Sequence, residues 1–188
     1  MLILASASPR RDELLTMAGL AHECIPSHVE EEVPEGTRPQ DIPVLLSAQK
    51  AADVFSAHPD DLVLGADTIV AVDGEVLGKP KTKEEAAAML RLLSGKTHTV
   101  YTGVTLMDAA GSESFCSGSR VTFYDLTEEE ILRYVNSGEP MDKAGAYGIQ
   151  GSGCILVRHI EGDYFTIMGL PVAEVYHRVK RRLYGERS

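Results

Sequence analysis

Short apolar runs, separated by glycine and by capping residues, divide the chain into alternating strand and helix signals. Leu2 to Ala5 predicts a short buried strand. Ser8 then stands as a helix N-cap with Pro9 at the first helical position, and Asp12 to Ala18 continue the helix until Gly19 stops it. Leu45, Ala48, Ala52 and Phe55 recur at helical spacing and predict a helix over 43–56. Leu62 to Ala66 is an all-apolar strand. Thr68 to Val72, Asp73-Gly74 and Glu75 to Leu77 read as a hairpin with a two-residue turn, which leaves Asp67 between the strands. Thr82 and Thr127 each precede a glutamate three positions on. These capping boxes start helices that end at Ser94-Gly95 and near Gly138. Thr97 to Met107 and Glu113 to Tyr124 are long strand signals around Asp108-Ala109-Ala110-Gly111, followed by shorter ones at Ile155 to Glu161 and Tyr164 to Met168.

Strands and helices alternate irregularly and not as strict βαβ units. The expected architecture is therefore α/β, with a mixed, partly antiparallel sheet flanked by helices and two lobes around a central cleft, in a single domain over 1–188. There is no internal repeat, low-complexity tract or long linker. Val29 to Pro43, acidic and then proline-containing, reads as a mobile loop over a site.

At 188 residues, with 44% hydrophobic and 24% charged residues, the composition is that of a globular protein able to bury a core without staples. Cys24, Cys116 and Cys154 are odd in number and outside any Cys-x-x-Cys spacing, which speaks against a disulfide frame or a zinc site and for a reducing cytoplasm. The apolar run at the N-terminus is too short for a signal segment, and no stretch approaches the ~20 apolar residues of a membrane span. A net charge of −10 opposes nonspecific nucleic-acid binding, so an anion site must be a local concentration of cations. The cluster Arg178, Lys180, Arg181, Arg182 and Arg187 closes a final helix and reads as a solvated helix end.

Arg10 and Arg11 are placed where a helix least favours them. A helix N-terminus already carries about half a positive charge, so each cation costs roughly 0.3–1 kcal/mol unless an anion sits opposite. Free N–H groups, the Ser6 and Ser8 hydroxyls and the two guanidinium groups would make a phosphate cradle at a strand end. The alternative is pairing with Asp12 or Glu13. If the cradle is correct, both arginines are ligand residues and not folding residues. Asp67 follows an apolar strand and needs a partner, either a metal ion, a lysine, a water to be deprotonated, or its own backbone in an Asx-turn. Lys79, in Gly78-Lys79-Pro80, and Lys50, beside the apolar face of its helix, could be aimed at such a site or simply face solvent. Glu30 to Glu32 would supply oxygen ligands to Mg²⁺ or Mn²⁺, or form a solvated loop. In Asp142 to Gly151, small residues permit close approach of a planar ligand, and the Gln150 amide offers both a donor and an acceptor to a base edge. The plain alternative is a glycine-rich turn. No P-loop, dinucleotide-binding, nucleophile-elbow or zincin motif is present.

Taken in order, Leu4-Ala5-Ser6-Ala7-Ser8-Pro9-Arg10-Arg11, Val29-Glu30-Glu31, Gln49-Lys50-Ala51, Gly65-Ala66-Asp67-Thr68, Leu77-Gly78-Lys79-Pro80 and Lys143 to Gly151 strongly resemble the Maf family of nucleoside triphosphate pyrophosphatases. The resemblance implies a fold similar to inosine triphosphate pyrophosphatases and a divalent metal, Mg²⁺ or Mn²⁺. It further implies cleavage of a nucleoside triphosphate between α and β phosphorus, in the branch acting on dTTP and UTP. On that analogy Asp67 is the proton acceptor, with Lys50 and Lys79 as further catalytic groups. Arg10, Thr68 and Gln150 fall on the positions associated with substrate choice, and Ser6 and Arg11 bind substrate with them; the phosphate cradle adds Ser8 to the substrate-binding set, and the acidic run adds Glu31 beside Asp67 as a metal ligand. Expected partners are the nucleotide alone, without stable nucleic acid or membrane, and a homodimer is left open. The rival readings are a nucleotide-binding regulator of cell division or septum formation with little catalysis, and a phosphotransferase.

Overall fold

The computed structural model describes residues 1–185, so Arg187 lies outside the described residues. In chain order it contains β1 (Leu2–Leu4), α1 (Pro9–Met17), β2 (Glu23–Cys24), α2 (Ile42–Ala57), β3 (Leu62–Val72), β4 (Glu75–Leu77), α3 (Lys83–Leu93), β5 (Thr97–Asp108), β6 (Gly111–Phe123), α4 (Glu128–Asn136), β7 (Val157–Glu161), α5 (Tyr164–Met168) and α6 (Val172–Tyr184). The strands form a seven-stranded sheet in the order β2-β1-β3-β5-β6-β7, with β4 on β3 outside that path. β1 is parallel to β2 and β3, whereas β4 is antiparallel to β3 and β7 to β6, so the sheet is mixed as expected. None of the helices is long and apolar enough to cross a membrane among the described residues.

The chain divides into two compact units. The first comprises Met1–Asp67, Thr102–Ser117 and the chain from Gly169 onward. Its core packs Ile3, Ala5 and Val63 of the sheet layer against Ala51 and Val54 of α2. Two glycines set how closely α2 lies on the strands. A Cβ on Gly65 would stand 2.1 Å from the Ser47 carbonyl oxygen, and one on Gly103 would stand 2.2 Å from the Pro43 carbonyl carbon. Only glycine lets helix backbone and strand approach to that distance. On α6, Arg178 pairs with Glu174 of the same helix and with Glu113, Arg181 with Glu113 and Arg182 with Asp108, so these three arginines are paired and not merely solvated, whereas Lys180 lies over the Tyr176 and Tyr184 rings.

The second unit comprises Thr68–Tyr101 and Gly118–Met168. Its core joins Val70, Leu90, Leu93, Phe123, Ile131 and Tyr147. The Asp73-Gly74 turn has positive φ at both residues, +50° and +85°, the geometry a two-residue hairpin needs. Thr127 and Glu130 form the expected reciprocal capping box. At α3 the Glu85 carboxylate instead takes the Lys81 N–H at 2.8 Å.

Several local expectations are corrected. β3 runs unbroken through Asp67, which is a strand residue and not a link between two strands. The buried face of α2 carries Pro43, Leu46, Ser47, Ala51 and Val54, whereas Leu45 and Ala52 are exposed. Tyr164 to Met168 is helical because the Asp163 carboxylate accepts the Thr166 N–H at 2.6 Å and closes a turn. β7 begins only at Val157, after a 3-10 turn over Gly151–Leu156.

Candidate active site

The first unit brings most of the expected residues to one strand end. Ser8 has the extended backbone of an N-cap, but its side chain caps nothing. The capping chemistry belongs to Ser6, whose buried hydroxyl accepts the Ser8 N–H at 3.2 Å and an Arg11 Nη1–H at 3.1 Å. Arg11 is only 9% exposed and donates from Nε to the Gly169 carbonyl at 2.8 Å. Asp12 is bonded to His22 Nε2 at 2.9 Å. Burial holds the Arg11 guanidinium below its ordinary pKa. The nearby Asp67 carboxylate opposes that shift, the adjacent Arg10 cation adds to it, and Glu31 opposes it. Arg10 is half-buried on the same turn.

Lys50 is the hub of the charged cluster. Its Nζ donates to Asp67 Oδ1 at 2.5 Å and lies 2.9 Å from Glu31 Oε1. The Lys50 and Asp67 side chains are 16% and 15% exposed, Glu31 47%. The local sequence explains the placement. Strand side chains alternate, so Gly65 and Asp67 face the same side, and the missing side chain at Gly65 admits the α2 backbone at Ser47 and Ala51. Lys50, the neighbour of Ala51, is thereby set against Asp67. The solvent-facing reading of Lys50 and the Asx-turn reading of Asp67 are both set aside.

α2 also fixes the acidic segment. Gln49 donates from Nε2 to the Glu32 carbonyl (2.7 Å) and accepts the Glu32 N–H (3.0 Å), while Asp53 accepts from the Ser27 hydroxyl (2.7 Å) and the His28 N–H (3.0 Å). Within the stretch expected to be a mobile loop, 29–43, Glu32 is thus clipped to the helix next to Glu31, and the second tie, at Ser27 and His28, lies just before that stretch. Gln49 lies in the Gln49-Lys50-Ala51 motif but carries no charge, so its tie to Glu32 is not legible from residue type. The two carboxylates of Glu31 and Asp67 converge on the Lys50 ammonium, and their oxygens are of the hard type that divalent ions take as ligands. Elsewhere, Asp12, His22 and Cys24 bring ligand atoms within 4.8 Å of one another, a grouping that sequence spacing does not reveal.

Three expected residues belong to the second unit. Thr68 follows Asp67 directly on β3. Lys79 is exposed and its segment is tied through the Gly78 carbonyl, which accepts the Gly145 N–H at 3.0 Å. Gln150 is half-buried, and its amide makes no hydrogen bond to any described residue. Tyr147 is a core residue: its hydroxyl meets His98 Nε2 at 2.8 Å, and its ring stacks edge-on with those of His98 and Phe123.

Fold and charge together describe an α/β protein that carries, beside the end of β1, cations of the kind an anion-binding site needs and carboxylates that pair with a lysine. The sequence profile of the Maf family, described as Maf-like protein, matches residues 1–182, and the chain belongs to that family. It is 53% identical over 173 residues to the dTTP/UTP pyrophosphatase of Bacillus pumilus (strain SAFR-032), covering 92% of each chain. It is 52% identical over 179 residues to the dTTP/UTP pyrophosphatase of Bacillus cytotoxicus, covering 95% of this chain and 94% of that one. A HAM1 protein from Coxiella burnetii shares the fold at a TM-score of 0.52 and 15% identity, over 96% of this chain and 98% of that structure.

Proposed function

We infer that this protein hydrolyses nucleoside triphosphates, dTTP and UTP foremost, to the monophosphate and pyrophosphate. Relatives more than half identical over nearly the whole chain bear that activity in their names, and the Lys50–Asp67–Glu31 cluster is the structural observation that supports the chemistry. Asp67 accepts the proton of a water that attacks the α-phosphorus, the bond to the α–β bridging oxygen breaks, and that oxygen leaves with pyrophosphate. Lys50 holds the Asp67 carboxylate in place from one side. Arg10, Arg11, Ser6 and Ser8 sit where a phosphate meets a helix N-terminus, and Lys79 adds a further cation. Thr68 and Gln150 contribute to the choice of substrate. Glu31 and Asp67 would hold a Mg²⁺ or Mn²⁺ ion, which when bound supplies charge neutralisation to the polyphosphate. The three cysteines are free and the reading places the protein in the cytoplasm.

Pyrophosphate release from a panel of triphosphates, with and without chelator, tests the reading. Asp67→Asn should keep the fold and lose about 10²–10⁴-fold in kcat. Tight nucleotide binding without turnover would leave a regulatory module, and transfer to an acceptor other than water would make it a phosphotransferase.

A further inference from the structure

The most heavily hydrogen-bonded carboxylate of the second unit lies outside the residues given a role above. Glu139 Oε1 accepts from the Tyr134 hydroxyl (3.0 Å) and the Gly153 N–H (3.2 Å). Its Oε2 accepts from the Ser152 N–H (3.0 Å) and the Ser152 hydroxyl (2.5 Å). Tyr134, in donating to Glu139, leaves its oxygen lone pair to accept the Gly148 N–H at 3.0 Å. Gln150 is therefore bracketed. On one side Gly148 is held through Tyr134, and on the other Ser152 and Gly153 are held by Glu139 directly.

The glycines of this loop fit that purpose. Gly151 has φ +68°, and a Cβ there would stand 2.9 Å from Glu139 Oε2. A Cβ on Gly153 would stand 2.2 Å from the Gly148 carbonyl oxygen and 2.7 Å from the Tyr134 hydroxyl. The loop is folded tightly around the carboxylate, with no room for side chains between them. Burial raises the Glu139 pKa, but the hydrogen bonds from Ser152, Gly153 and Tyr134 outweigh it and hold the group below the ordinary value, so it is ionised at neutral pH. Every neighbour of this carboxylate is a donor, which suits a carboxylate and does not suit an amide.

We propose that Glu139 is a positioning residue for base selection, its carboxylate shaping the 148–153 loop so that the uncommitted Gln150 amide faces the base of the nucleotide. This rests on the reading of Gln150 as a residue of substrate choice. Glu139 does not touch the ligand, and its effect is exerted through the backbone on either side of Gln150.

The test is a double-mutant cycle on the dTTP:CTP ratio of kcat/KM, with Glu139→Gln, Gln150→Ala and the pair. Glu139→Gln turns an NH₂ toward N–H or O–H donors. It should lower the ratio about 10-fold or more, through KM for dTTP, with little change toward CTP. In the Gln150→Ala background the same substitution should change the ratio less than about 2-fold, since its effect is already spent. Ser152→Ala removes one donor from an exposed position, should leave the fold intact, and should shift the ratio several-fold in the same direction. Equal losses toward both nucleotides, or an equal shift in both backgrounds, would overturn the positioning role while leaving Gln150 as a base reader. A Gln150→Ala protein with unchanged dTTP:CTP ratio would overturn the reading of Gln150, and the proposal with it.

Discussion

Two adjacent arginines on one helical turn differ in burial, and their substitution should separate a folding contribution from a ligand role. Arg11 is buried and hydrogen-bonded to Gly169 and Ser6, so Arg11→Ala should cost about 1.5–3 kcal/mol, the range for a lost hydrogen bond to a charged group. Arg10→Ala removes a half-buried cation from a helix N-terminus and should change stability by under about 1 kcal/mol while weakening turnover. Thermal unfolding of the two variants, at about 2–4 °C per kcal/mol for a chain this size, separates them. Equal melting temperatures would refute the distinction, and the sequence-based expectation that neither arginine serves folding would then stand for Arg11 too. That expectation had no way to see the Gly169 carbonyl, 158 residues away in the chain. The charged candidates Asp67, Lys50 and Glu31 were legible because an unpaired carboxylate after an apolar strand demands a partner. Which partner it takes is decided by packing.

At the scale of elements, helix-on-strand packing at Gly65 sets the charged cluster. Gly65→Ala puts a methyl 2.1 Å from the Ser47 carbonyl oxygen, so α2 must lift. The cost should be about 1–3 kcal/mol, and kcat measured well below the melting temperature should fall as well, because Lys50 moves with the helix. Gly103→Ala forces the same helix at Pro43, seven residues before Lys50, and should destabilise comparably with a smaller loss of kcat. Similar kcat for both would show that Lys50 does not depend on the seating at Gly65. The existence and extent of this helix were readable from its apolar spacing. Of the positions that carry that spacing, Leu45 and Ala52 face outward while Phe55 packs against the core, and close packing against glycine selects the small Ser47 and Ala51. The helix at Tyr164–Met168 was missed for the opposite reason: five residues show no period, and only the Asp163 cap decides it.

For the molecule as a whole, acid stability should turn on His98. It is buried between Phe123 and Tyr147, Nδ1 has no partner among the described residues, and burial lowers its pKa to about 4. The unfolded chain binds that proton near pH 6.5, so between about 6.5 and 4 the unfolded state holds more protons and stability falls as pH falls. The contribution is fully present above pH 6.5, and about 3 kcal/mol is lost by pH 4. Denaturant unfolding of wild type and His98→Leu across that range checks it: the variant, less stable at pH 7, should show a shallower decline, and parallel curves would assign the acid loss to other groups. The segment from Ser27 to Glu32 has a consequence of another kind. Its His28 and Glu32 amides are bonded to side chains of α2, although the segment belongs to no helix or strand. In native-state hydrogen exchange they should be protected above the amides around them, and they should open together with α2, so two loop amides report the local unfolding of a helix 10 or more residues downstream.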